Sequence, residues 1–192
     1  MYPLLDEQGN VLTWFGRDMH YDKKVTEWNT SGRDPDQKPA KTRFVKDFRR
    51  GQELFGQHGS KRLKDNPDLR ESLATIGLII VEGQNDVIRL DTLGAPAVGL
   101  MSNTATELQL QKMIRFAKQT AGSRIVLLPD NDSDGEKGFK ELLWKLCGVP
   151  QIDVKLGWSR EMFSGRFDGH QPESLSSEEW EFLLPTLQRR KP

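Results

Sequence analysis

The chain has 192 residues with 28 basic and 28 acidic side chains, so its length allows one sizeable core with a smaller appendage and its net charge of zero gives no global pull toward nucleic acid or membrane. No run approaches the roughly 20 apolar residues that cross a bilayer, and the start MYPLLDEQGN lacks the charged-then-apolar layout of a signal peptide. The lone cysteine, Cys147, excludes an intrachain disulfide and a cysteine-based zinc site, suits a reducing cytosol, and sits in an apolar helical pattern that predicts a small core residue in a cytoplasmic protein with no membrane partner.

Two β-rich runs, YPLL and VLTWF, flank Asp6-Glu7-Gln8-Gly9-Asn10 and predict a hairpin. Residues 17 to 41, rich in Asp, Gly, Pro, Lys and Thr and without sustained periodicity, are expected to be loop carrying short strands. Between Lys38 and Lys64 lie nine basic residues (Lys38, Lys41, Arg43, Lys46, Arg49, Arg50, Lys61, Arg62, Lys64) against Asp47 and Glu53, a local balance of +7. The basic segment runs on to residue 71, with a solvated loop as its plainer reading.

From Ile76 short β-branched runs alternate with helical ones. Ile76 to Val81, Ala97 to Leu100 and Ile125 to Leu128 have the unbroken apolar character of strands buried on both faces, and Ile152 to Leu156 is a fourth candidate. Helices are expected from Asp86 to Leu93, stopped by Gly94, and after Thr104-Ala105-Thr106-Glu107, which has capping-box spacing. Leu110, Met113, Ile114 and Ala117 follow there with helical period. Phe139, Leu142, Leu143 and Leu146 repeat that period up to Gly148, and Ser177 to Gln188 forms a last helix. Strands alternating with helices imply crossover connections and a mostly parallel α/β sheet.

Two acidic motifs fall at the carboxyl ends of predicted strands, where ligands gather in such sheets. Glu82 follows LIIV in Val81-Glu82-Gly83-Gln84-Asn85-Asp86, and Asp130, Asp132 and Asp134 follow IVLLP at i, i+2 and i+4 ahead of Gly135. Oxygen-only ligands suit hard cations such as Mg2+, Mn2+ or Ca2+, which offset charge during phosphoryl transfer. Any one of these acids alone equally suits a helix cap. Asp130 to Gly135 with Glu141 also fits the D-x-D-x-D-G-x5-E calcium loop, but the strand-like run and Pro129 before it stand where that loop requires a helix.

Through these motifs the chain from Ile76 to about Leu146 resembles a Toprim domain, the fold shared by bacterial primases, topoisomerases and some nucleases. Tyr2-Pro3-Leu4 with Asp6-Glu7-Gln8-Gly9 and Phe15-Gly16-Arg17, then Arg50-Gly51-Gln52-Glu53-Leu54-Phe55-Gly56, are similar to the polymerase region that precedes Toprim in DnaG-type DNA primases. The resemblance implies a Toprim fold, a mostly parallel sheet flanked by helices, with a small basic N-terminal α+β part. The expected division is 1–71 for a partial polymerase region, 72–158 for Toprim and 159–192 for a C-terminal extension. It implies Glu82, Asp130 and Asp132 as catalytic, metal-coordinating acids and Asp86 as a supporting one, while Asp134 is a metal candidate on spacing alone. Arg17, Lys38, Lys41, Arg43, Lys46, Arg49 and Arg50 are implied to contact nucleotide phosphates or template.

The sequence departs from that family in three places. The single cysteine leaves no zinc ribbon, the match to the polymerase region begins partway through it at Met1, and the place of a third Asp-Pro-Asp motif is held by Gln171-Pro172-Glu173 after Asp168-Gly169-His170. The leading expectation is a metal-dependent nucleotidyltransferase that makes RNA primers on single-stranded DNA from nucleoside triphosphates with Mg2+ or Mn2+, with a replicative helicase as a candidate partner. A Toprim nuclease and a non-catalytic nucleic-acid-binding module are the alternatives.

Overall fold

The computed structural model describes residues 1–59, 63, 65–120 and 122–188. Lys61, Arg62 and Lys64 of the basic segment lie outside the described residues. The chain opens on the expected hairpin: β1 (Tyr2–Leu5) pairs antiparallel with β2 (Val11–Arg17), and β2 pairs with β3 (Thr42–Phe44). Asp6 fixes the turn, its carboxylate accepting from the backbone N–H groups of Gln8 and Asn10. Between β2 and β3 the structure departs from the expected loop, because Tyr21–Thr30 is a helix, α1. It buries none of its residues, so it carries no apolar period for the sequence to display.

After a helix over Pro67–Thr75 (α2), capped by Asn66, four strands alternate with helices: β4 (Leu78–Val81), α3 (Gln84–Thr92), β5 (Ala97–Gly99), α4 (Glu107–Lys118), β6 (Arg124–Leu127), α5 (Ser133–Cys147) and β7 (Asp153–Leu156). The sheet order is β5-β4-β6-β7 and every pairing is parallel. The helix after Thr104 begins two residues later than its spacing suggested, since Thr106 is the N-cap and Gln109 its reciprocal partner. Gln109 also donates to the Glu53 and Leu100 carbonyls, and these buried bonds fix the later start.

Strand pleating sorts the core into two layers. Ile79, Val81, Val126 and Leu128 face one side, against Val87 and Leu90 of α3 and Trp180, Leu183 and Leu187 of the last helix, α6 (Ser177–Leu187). Leu78, Ile80, Ile125 and Leu127 face the other, against Met113 and Ala117 of α4 and Phe139, Leu142 and Leu146 of α5. Cys147 departs from its expected core position and is exposed, because the buried stripe of α5 ends at Leu146.

The N-terminal sheet rests on the open edge of β5. Phe55 and Gly99 exchange backbone hydrogen bonds at 2.9 and 3.0 Å, and Leu4, Phe15 and Met101 form a third cluster with Phe44, Phe48 and Phe55 around it. Ionic links tie the same surfaces together: Arg115 makes two bonds to the Glu7 carboxylate at 2.6 and 2.7 Å, and Lys112 reaches Glu53 at 2.5 Å. The segment after β7 returns across the strand ends, where Trp158, fully buried, donates to the Pro129 carbonyl at 2.7 Å. Among the described residues no helix is long and apolar enough to cross a membrane.

Gly138 marks the tightest approach of α5 to the loop after β5, since a Cβ at that position would overlap the Asn103 carbonyl oxygen. Gly138→Ala is expected to lower stability by about 1–3 kcal/mol through overpacking, measurable as a lower denaturation midpoint with unchanged slope.

Candidate metal centre

β4 and β6 are central neighbours, so the residues that leave their carboxyl ends emerge side by side. Glu82 follows β4 directly. Asp130 stands three residues beyond the end of β6, and its backbone N–H donates to Glu82 Oε1 at 3.3 Å. Asp86, in the first turn of α3, is only 4% exposed and has both oxygens engaged: Oδ2 accepts from Gly83 N–H at 2.7 Å and Oδ1 from Glu173 N–H at 3.0 Å. Gly135, opening α5, lets this cluster close, because a Cβ there would stand 2.6 Å from Glu82 Oε1 and overlap the Asp130 carbonyl.

Of the three acids spaced at i, i+2 and i+4, Asp130 precedes α5, Asp132 caps it and Asp134 lies in its first turn. Asp132 is the N-cap of α5, its Oδ1 accepting from Asp134 N–H at 3.0 Å and Gly135 N–H at 2.9 Å, and its side chain lies at the exposed rim. Asp134 is already helical and exposed, since the alternation of an extended chain is lost once a helix begins at Ser133. In place of Asp134 the C-terminal segment brings two residues to the acids: Gln171 donates from Nε2 to Asp130 Oδ2 at 3.0 Å, and Glu173 sits beside Asp86 and Asp130. The position of the Gln171-Pro172-Glu173 motif was the signal for them. His170 faces away, its ring against Phe167 and its Nε2 3.5 Å from Glu179.

Burial and crowding push three of these carboxyls above their ordinary range. Burial first, then the charge of Asp130, raises Glu82 to about 8. Burial and Asp130 likewise raise Asp86 to about 7, and burial with Asp132 and Glu173 raises Asp130 to about 6, with Lys41 opposing. Asp130 Oδ1 is buried with no hydrogen-bond partner. Among the described residues no three acids enclose one point as ready-made ligands. The donor set nevertheless fits a hard divalent cation, which takes oxygen ligands, often needs only one or two carboxylates beside water and phosphate, and would relieve both the orphaned oxygen and the mutual repulsion.

Glu82, Asp86 and Asp130 line a cleft of about 200 Å3 together with Tyr2, Arg17, Thr42 and Phe44 of the N-terminal sheet and Lys41 just before β3. Tyr2 also donates its hydroxyl to Asn85 Oδ1 at 3.0 Å. The other basic candidates lie outside the cleft. Arg43 is paired with Asp18 at 2.9 Å, Arg50 lies 5.9 Å over the Phe44 ring, and Lys38, Lys46 and Arg49 are exposed.

The family model described as Toprim-like, Toprim_2, matches residues 79–157, the stretch that carries β4 through β7 and both acidic strand ends. Residues 79–157 are a Toprim domain. No curated protein matches the chain in sequence. Among solved structures it is similar to the Aquifex aeolicus primase containing zinc-binding and RNA polymerase domains, with 22% identity over 96% of this chain and 39% of that one at a TM-score of 0.61. It is also similar to a DNA primase domain from Pseudomonas aeruginosa (22% identity, 98% of this chain and 50% of that one, TM-score 0.60) and to a DnaG primase catalytic domain bound to single-stranded DNA (20%, 97% and 50%, 0.58). The chain thus spans half or less of these solved chains and shares their fold over 96–98% of its own length.

A carboxyl whose pKa is higher folded than unfolded stabilises the fold fully below its unfolded value, and that contribution is lost as pH rises through the folded one. With Asp130, Asp86 and Glu82 raised to about 6, 7 and 8, the metal-free protein is expected to lose thermal stability steadily from acid toward pH about 8. Mn2+ should reverse the slope, because it binds the ionised form. Melting curves across this range with and without Mn2+ check it; identical flat profiles would contradict it.

Proposed function

We propose that this protein is the metal-dependent nucleotidyltransferase core of a DnaG-type primase, joining ribonucleotides on a single-stranded DNA template. The observation that carries the reading is the lining of one cleft by two unlike sets of residues: Glu82, Asp86 and Asp130 from the Toprim part, and Arg17 and Lys41 from the N-terminal part. A site with acids alone suits a cation, whereas acids facing fixed cations suit a bound triphosphate, whose oxygens take up both. One similar structure is a DnaG primase catalytic domain bound to single-stranded DNA, which supports the choice of template.

Glu82 and Asp130 would hold Mg2+ or Mn2+, with Asp132 at the rim. A cation held by these acids would supply positive charge against the negative charge that develops in phosphoryl transfer. Lys41 and Arg17 bind and orient the triphosphate from across the cleft, which confines the reacting phosphorus near the acids. Asp86 acts one step back: its bonds to Gly83 N–H and Glu173 N–H hold the turn carrying Glu82 against the C-terminal segment. The exposed Lys38, Lys46 and Arg49 suit salt-sensitive contacts to the template backbone rather than to the nucleotide.

Incorporation of labelled ribonucleotides on a single-stranded template tests this. Asp130→Ala is expected to lower the rate by about a hundredfold or more, and Lys41→Ala to raise KM for nucleotide by about tenfold with a smaller change in kcat. Equal product from wild type and Asp130→Ala, or none from wild type with Mg2+ and Mn2+, would sink the proposal. Metal-dependent nicking of plasmid without nucleotides would point to a nuclease instead.

A further inference from the structure

Beside its acids and cations the cleft is lined by neutral hydrogen-bonding side chains, among them Tyr2, Asn85, Ser102 and Asn103. A triphosphate held by the charged groups leaves these without a task.

Asn85 is the most firmly placed of them. It stands in the first turn of α3, and its Oδ1 accepts from the hydroxyl of Tyr2, in β1 of the N-terminal sheet, at 3.0 Å. Tyr2 is held in turn by its ring, whose centroid lies 5.5 Å from that of the buried Phe15. With Oδ1 taken, what Asn85 has left to offer is its amide N–H groups, and among the described residues these have no partner. A donor fixed in this way, in a cleft that also holds the Ser102 hydroxyl and the Asn103 amide, suits a ligand hydroxyl, which accepts one hydrogen bond and donates another.

Size and chemistry select the part of a nucleotide that brings such a hydroxyl. About 200 Å3 is less than the roughly 300–1,000 Å3 of sites that enclose a whole small molecule, so the cleft takes only part of the nucleotide. On a template the base is committed to pairing and stays outside, while the sugar, joined directly to the phosphates, follows them in. Its 3′ hydroxyl must remain open to form the next bond. The 2′ hydroxyl can be held throughout, and it is the group by which a protein tells a ribonucleotide from a deoxyribonucleotide.

We propose that Asn85 is a specificity-determining residue for the sugar, donating from Nδ2 to the 2′ hydroxyl of the incoming nucleotide, with Tyr2 as the positioning residue that fixes its amide. The inference rests on the nucleotidyltransferase reading above. A mere tie between the N-terminal sheet and α3 would affect every nucleotide alike, whereas a sugar contact affects only those that carry the hydroxyl.

Calorimetric titration of the full chain with ATP and with dATP, in the presence of Mn2+ and without template, reads the preference without any reaction. Wild type is expected to bind ATP about tenfold more tightly than dATP, the factor that one uncharged hydrogen bond supplies. Asn85→Leu, of nearly the same shape, should bring the two affinities together by weakening ATP while leaving dATP as it was. Tyr2→Phe keeps the ring and should narrow the gap in the same direction, because the amide is then free to turn. The ratio of kcat/KM for ribonucleotide over deoxyribonucleotide incorporation on a template should follow the same order. Equal binding by wild type, an unchanged ratio in either folded variant, or an equal loss for both nucleotides overturns the inference. Thermal melts identify a variant that fails to fold; if Asn85→Leu does, Tyr2→Phe decides. If wild type binds neither nucleotide with Mn2+, the nucleotidyltransferase reading itself fails and the inference falls with it. Binding without a preference for the sugar overturns the inference alone.

Discussion

Confining several carboxylates to a half-buried cleft is the constraint that the rest of this structure serves. Glu82, Asp86 and Asp130 are raised above their ordinary pKa by lost hydration and by their neighbours, and a cluster of that kind persists only if the surrounding backbone holds it together against its own repulsion. β4 and β6 do so by lying side by side in a sheet covered on both faces, so that the chain beyond them has no freedom to splay. The first turns of α3 and α5 add backbone N–H groups aimed at Asp86 and Asp132, where helix starts favour negative charge.

The segment after β7 completes this arrangement from outside the Toprim stretch. Its aromatic side chains, Trp158, Phe167 and Trp180, belong to the same apolar layer as Ile79 and Val126, so it is anchored by core burial rather than by surface contact. Trp158 bonds to Pro129 and Asn131 to Phe167, which brackets Asp130 between two fixed points. Gln171 and Glu173 reach the acids as a result. The N-terminal sheet plays the matching part across the cleft, pinned through Phe55 to the edge strand β5 and through Glu7 to α4, which places Lys41 near enough to Asp130 to oppose its protonation.

Much of this was legible in the sequence where a residue's role depends on its near neighbours. Unbroken apolar runs gave the buried strands, the period of Leu110, Met113 and Ala117 gave the face of α4, and the glycine-flanked acids marked the strand ends. α1 escaped because a helix that buries nothing has no period, and Cys147 was misplaced because an apolar pattern does not show where the buried stripe stops.

At the site the division follows the same line. Composition and spacing determined which acids leave the sheet at its carboxyl end, since a strand followed by a tight turn fixes that locally. Tertiary structure alone decided which side chains meet: Arg43 is claimed by Asp18, and Gln171, 41 residues from Asp130, becomes its hydrogen-bond partner. Contacts across such separations are set by how the layers pack, which no local pattern of residues encodes.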